Sequence, residues 1–206
     1  FLPGVESVRA LALEAIASQR ADLELQEALL REVERLAWEL QSDPDLAEGN
    51  VRRARLHLAR GRVGEGLEAA LTALETALRL ADAGLVARAR NAVGAAHFYA
   101  GDLGGAAAAF AANLASEDEV ERYRAHNNLG SINAMQGRLE DAYHHFDEAL
   151  TLARRNSNHL DVSATLNNLA ASAERLGDYQ RAERHFREAS PWRAGAAPRA
   201  GRLRCS

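Results

Sequence analysis

Lysine is absent from the chain, and all 25 basic residues are arginine. That bias reflects GC-rich coding more than mechanism. The single cysteine, Cys205, stands at the extreme C-terminus, so no internal disulfide can form. Such sparing use of cysteine fits a reducing cytoplasm. Aromatics make up only 5% of residues and β-branched residues are sparse, which removes strand-rich folds from consideration. Long apolar runs are also missing. The longest, GGAAAAFAANLA at 104–115, is too short and too alanine-rich to span a bilayer, so no membrane association is expected. The N-terminus has neither the basic flank nor the long apolar region of a secretory leader. It also has no initiator Met, as expected of a processed or excised segment.

No chemistry-bearing motif is present. There is no HExxH, P-loop or GxSxG. GDLGG at 101–105 lacks the lysine of a phosphate loop. His144 and His145 are adjacent, so on a helix they point about 100° apart and do not chelate together. No second ligand cluster stands at metal-binding spacing. The expectation is therefore a non-enzyme with no cofactor and no metal.

The chain is rich in Ala, Leu, Glu and Arg, which are strong helix formers. Across 206 residues it is 47% hydrophobic and 26% charged, with a net charge of −4. These values describe a folded, all-α protein. The segment 191–206, PWRAGAAPRAGRLRCS, carries four Arg and no acid. Removing those four charges from the net leaves −8 on the body, which argues against a nucleic-acid surface. The segment has no helical period and is expected to be a disordered basic tail, a linker, or residues foreign to the domain.

The body repeats. AVGAAHFYAGDLGGAAAAF (92–110), NLGSINAMQGRLEDAYHHF (128–146) and NLAASAERLGDYQRAERHF (168–186) align. Gly101, Gly137 and Gly177 coincide, 36 and 40 residues apart, as do the pairs Ala106/Phe110, Ala142/Phe146 and Ala182/Phe186. A weaker copy, Gly61 with Val63 and Ala70, precedes them. Each unit is two amphipathic helices joined at a glycine suited to a left-handed helix C-terminus. Gly94, Gly130 and Ala170 are small, as are Ala106, Ala142 and Ala182, where the two helices cross. The three Phe are expected to fill space between units. No unit buries its apolar face alone, so the units are expected to stack into a right-handed α-solenoid of about five antiparallel helix pairs with a concave face.

The pattern predicts helices near 45–60, 63–82, 84–100, 103–115, 118–136, 139–155, 159–176 and 179–189. A degenerate pair is expected at 5–19 and 22–41, ended by the break SDPD at 42–45. The domain reading is thus a capping pair over 1–44, a repeat array over 45–190 and a tail over 191–206.

The repeat resembles the tetratricopeptide repeat. Val93-Gly94, Leu129-Gly130 and Leu169-Ala170 match that family's Leu-Gly pair, and the Ala-x-x-x-Phe pairs match its second helix. Arg90, His126 and Leu166 replace its Trp, His97, Asn133 and Ala173 replace its Tyr, and the terminal Pro is missing. The long spacing is similar to that of kinesin light chains, G-protein-signalling adaptors and large bacterial multidomain regulators. The resemblance implies a protein-interaction module in the cytoplasm, a fragment or partner of a bacterial signalling or transcription regulator. Its ligand would be a peptide or partner domain in the concave groove. The alternative is a structural array that self-assembles end to end into a homo-oligomer.

Asn recurs once per repeat, at 91, 127 and 167. With Gly130 facing its partner helix at 0°, Asn127 lies at about 60° and turns toward the groove face. Arg124, Ser131 and Met135 share that side. The equivalent positions give Arg88, Phe98 and Tyr99 in one neighbour and Arg175 in the other, with Asn128 and Asn168 in a second rank. An Asn amide both donates and accepts, so it can pair with an extended peptide backbone. The resemblance to kinesin light chains, which carry a similar Asn, implies backbone contact by it.

Overall fold

The computed structural model describes residue 6, residues 9–14 and residues 22–193, the last four as backbone only. The chain divides into two units, 1–117 and 118–206. Among the described residues there is helix and no strand.

The first unit contains a helical stretch at 9–14 and five helices. They are α1 (Leu23–Glu39), α2 (Asp43–Ala59), α3 (Val63–Leu80), α4 (Ala83–Tyr99) and α5 (Leu103–Ala111). The second unit contains α6 (Glu119–Met135), α7 (Leu139–Arg155), α8 (His159–Arg175) and α9 (Tyr179–Arg193). Within each unit successive helices pack on one another. Turns this short between packed helices make neighbours antiparallel. The first helices of successive pairs also touch, α2 with α4 and α6 with α8.

Local sequence sets these boundaries. Asp22, Asp82, Asp102, Asp118 and Asn158 are N-caps whose side chains accept from backbone N–H groups two to three residues further on, meeting donors that the first turn leaves free. Gly61, Gly101, Gly137 and Gly177 follow the first helix of each pair with φ of 72°, 80°, 76° and 81°, the left-handed turn expected of them. Each stop is doubly bonded. After α6, for example, Gly137 N–H donates to Ala134 O at 3.2 Å and Arg138 N–H to Asn133 O at 2.9 Å.

The cores are built for close approach. In the first unit Ala47, Val51 and Ala54 of α2 meet Ala70, Ala73 and Ala77 of α3, and Leu85, Ala89 and Val93 of α4 close the cluster. In the second, Ala142, Phe146 and Ala149 of α7 pack with Leu166 and Leu169 of α8 and with Ala189 of α9.

Four differences from expectation carry structural reasons. Helix α5 stops at Ala111 rather than continuing to 115. Asn113, 1% exposed, donates its amide to Ala87 O at 2.7 Å and ties the chain to α4 there. Second, α9 runs on to Arg193, past the expected start of the tail at 191; residues 194–206 lie outside the described residues. Third, Phe110 and Phe146 also pack within a pair. A Cβ on Gly94 would stand 2.6 Å from Phe110, and one on Gly130 2.7 Å from Phe146. Fourth, Phe186 is 46% exposed, whereas Phe110 and Phe146 are buried. The first pair is represented by Ala10 and Leu11 against Val33 and Leu36; much of 5–19 lies outside the described residues.

Candidate functional site

In the second unit the expected residues lie on α6 and α8. Asn127, Asn128, Asn167 and Asn168 are all half-buried. Asn168 Nδ2 donates to Asn127 Oδ1 at 3.1 Å, joining the two first helices. Asn167 Nδ2 instead donates to its own helix, to Ser163 O at 2.8 Å. The cross-helix link therefore runs between Asn127 and Asn168, not between the repeat-equivalent Asn127 and Asn167. Asn127 keeps both amide donors and Asn167 its carbonyl oxygen, since each amide offers two donors and one acceptor. Ser131 Oγ donates back to Asn127 O at 3.0 Å. Met135 is 62% exposed at the end of α6. Beside it Arg175 donates to Ala134 O at 2.8 Å. Arg124 pairs with Glu121, whose side chain is almost wholly buried.

In the first unit Arg88, Asn91, Phe98 and Tyr99 share α4. Arg88 does not offer an uncompensated charge. Its Nε donates to Glu48 at 2.9 Å, and Glu48 also accepts from Arg52 at 3.0 Å. Arg52 in turn pairs with the buried Glu14 at 2.6 Å and donates to Leu11 O at 3.2 Å. The chain of charges fastens the stretch 9–14 to α2 and α4. Asn91 is buried, unlike its counterparts in the second unit and contrary to the outward direction read from the helical wheel. Phe98 and Tyr99 meet edge to face at 6.0 Å, and Tyr99 is 63% exposed.

Residues 121–191 match a family model described as the tetratricopeptide repeat. That match lies within the second unit, over α6 to α9. A comparison with curated proteins finds no match. Solved structures of similar fold include BtubC (BKLC) from P. vanneervenii, at 22% identity and a TM-score of 0.72, covering 97% of this chain and 88% of that one. The apo form of RapI is 17% identical with a TM-score of 0.75, covering 92% and 71%. The apo form of the quorum sensor NprR from B. thuringiensis is 14% identical with a TM-score of 0.76; the match covers 93% of this chain and 55% of NprR.

The same face of the second unit holds further polar groups that the helical wheel did not single out. Tyr123, one turn before Asn127, is buried and interacts with Asp161 of α8. Thr165 Oγ1 donates to the Tyr123 hydroxyl at 3.4 Å. Burial pushes the Tyr123 hydroxyl up to about 12 and lifts the Asp161 carboxyl above the usual range. The signal for this pair was a Tyr at 123 and an Asp at 161, each one or more turns before its repeat's Asn, but the contact between them depends on how α6 and α8 are aligned. Among the described residues no group of three or more His, Cys, Asp and Glu is arranged to hold a metal ion, and no helix is long and apolar enough to cross a membrane.

Proposed function

We propose that this tetratricopeptide-repeat chain is a non-catalytic protein-interaction module that holds an extended peptide or a partner domain along its first helices. The observation that carries this reading is the set of four half-buried asparagines on α6 and α8, with amide groups left over after the Asn127–Asn168 bond. Half-buried amides are already partly desolvated, so a peptide group that pairs with them displaces little further water. Arg124, Ser131, Met135 and Arg175 flank them in the second unit; Arg88, Phe98 and Tyr99 are the equivalents in the first, where Asn91 is buried. The likeness of fold to RapI and to a quorum sensor supports a place within or beside a bacterial regulator.

The test is the double variant Asn127→Ala/Asn167→Ala. Each loses an amide at the face, and a lost hydrogen bond to a peptide group costs about 0.5–1.5 kcal/mol. Affinity for a partner isolated with the wild-type chain should fall by about 1–3 kcal/mol for the pair, with the urea midpoint lowered only by the loss of the Asn127–Asn168 bond. Unaltered affinity in a folded double variant would reduce the asparagines to structural bonds within and between the helices. The alternative, end-to-end self-assembly, is favoured by the exposed aromatic pair Tyr179 and Phe186 on α9. Light scattering across a concentration series separates the two readings.

A further inference from the structure

Three histidines gather where α6 meets α7. His126 of α6 and His145 of α7 face each other with Nδ1 atoms 3.1 Å apart and ring centroids 5.3 Å apart, the planes tilted by 53°. His144 is exposed, its ring centroid 5.8 Å from that of His145. His126 and His145 are each half-buried.

We propose that His126 and His145 form a two-imidazole chelate for a late first-row divalent cation, of the Cu²⁺, Ni²⁺ or Zn²⁺ class, that clamps α6 to α7. The separation fits the chemistry. With metal–nitrogen bonds of about 2.0–2.1 Å, nitrogens 3.1 Å apart subtend about 98° at the ion. That angle lies between tetragonal and tetrahedral coordination. Imidazole is a preferred ligand for these ions, and it must be neutral to bind. Burial is the main influence holding each ring below the usual histidine range, and the neighbouring histidine adds to it.

The surrounding charges are mixed. Glu148 acts on both rings and Asp141 on His145 as carboxylates that favour a cation, whereas Arg122 acts on His126 in the opposite sense. Among the described residues no third protein ligand is in place, so solvent completes the shell and the ion exchanges readily. Without metal one ring donates its Nδ1 proton to the other. Binding requires only that this ring carry its proton on Nε2 instead, so no net proton is released once both rings are neutral. The 19-residue separation of the two histidines hid the pair from spacing arguments, which had found only the adjacent His144 and His145.

The full chain carrying Cys205→Ser, which removes the terminal thiol as a competing ligand, is titrated with Ni²⁺ by calorimetry and by thermal unfolding. One ion per chain and a raised melting temperature are expected. His126→Gln and His145→Gln should each weaken binding at least tenfold, while His144→Gln stays within twofold. In parallel, substoichiometric Ni²⁺ added to the Cys205→Ser chain with its histidines intact should broaden the imidazole NMR signals of His126 and His145 before those of any other histidine. That readout does not depend on whether the Gln variants fold. No binding at millimolar Ni²⁺, affinity unchanged in either Gln variant at 126 or 145, or broadening centred on another histidine would overturn the chelate.

Discussion

A single left-handed residue closes each turn between the numbered helices within both units. Between the two helices of a pair it is glycine, at 61, 101, 137 and 177; between pairs it is Gln41, Ala81 or Ser157, with φ of 51°, 54° and 53°. The left-handed region costs a residue with a Cβ roughly 1–2 kcal/mol. Gly137 isolates that cost, because a Cβ there would meet nothing within 4 Å. Gly137→Ala should therefore lower stability by about 1–2 kcal/mol through the backbone alone, read as a lower urea midpoint at unchanged slope. Ser157→Gly should move the midpoint the other way by less, since glycine also has more freedom to lose on folding. An unchanged midpoint in Gly137→Ala would mean that the turn tolerates a right-handed stop.

The helix pair is the element that repeats, and its lock is a phenylalanine ring laid on a glycine. Phe110 covers Gly94 and Phe146 covers Gly130. Gly130→Ala places a methyl 2.7 Å from the Phe146 ring, and overpacking of this kind costs about 1–3 kcal/mol. Adding Phe146→Leu should recover part of that loss, so the double variant falls short of the sum of the singles. Strict additivity would place the clash elsewhere. The pairing itself was legible in the sequence. Gly137 and the Ala142/Phe146 pair mark the turn and the crossing, and α7 runs from Leu139 to Arg155 as its period predicts. The end of α5 was not, because alanine continues a helical pattern up to the point where Asn113 bonds to Ala87 and stops it. The face of α6 was likewise legible from Asn127 and Gly130, but its partners were not. A helical wheel gives direction and says nothing of what lies opposite. So Arg88 was placed on the groove face without its partner Glu48, forty residues away, and Asn127 was aligned with Asn167 although it bonds to Asn168.

Across the whole molecule four histidines bear on the response to acid near neutrality. His57, His126, His145 and His185 are all held below the usual value of 6.5, with burial the largest cause in each. The last three belong to the second unit. His185 Nε2 lies 2.8 Å from the Tyr143 hydroxyl, among Glu188, Asp147, Arg181 and Arg184. His57 faces Arg62, Arg53, Glu65 and Glu27. A histidine with a lowered native value takes up its proton more readily in the unfolded chain. Stability then rises with pH wherever the unfolded state binds more protons. The contribution is fully present above pH 6.5 and drains away as the pH falls through the lowered native values. Asp161 acts in the opposite sense, because its raised carboxyl favours folding as it protonates, but it does so nearer the carboxylate range. Asp102, held low by the Gly105 N–H that it caps and by His97, keeps its contribution until more acid still. The urea midpoint should thus fall between about pH 7.5 and about pH 5.5, before any carboxylate effect. His126 and His145 repel each other once both are charged, so their share should be the largest. His126→Gln/His145→Gln should flatten most of that fall while leaving the part due to His57 and His185. An equally steep fall in the double variant would assign the acid response to groups outside the α6–α7 crossing.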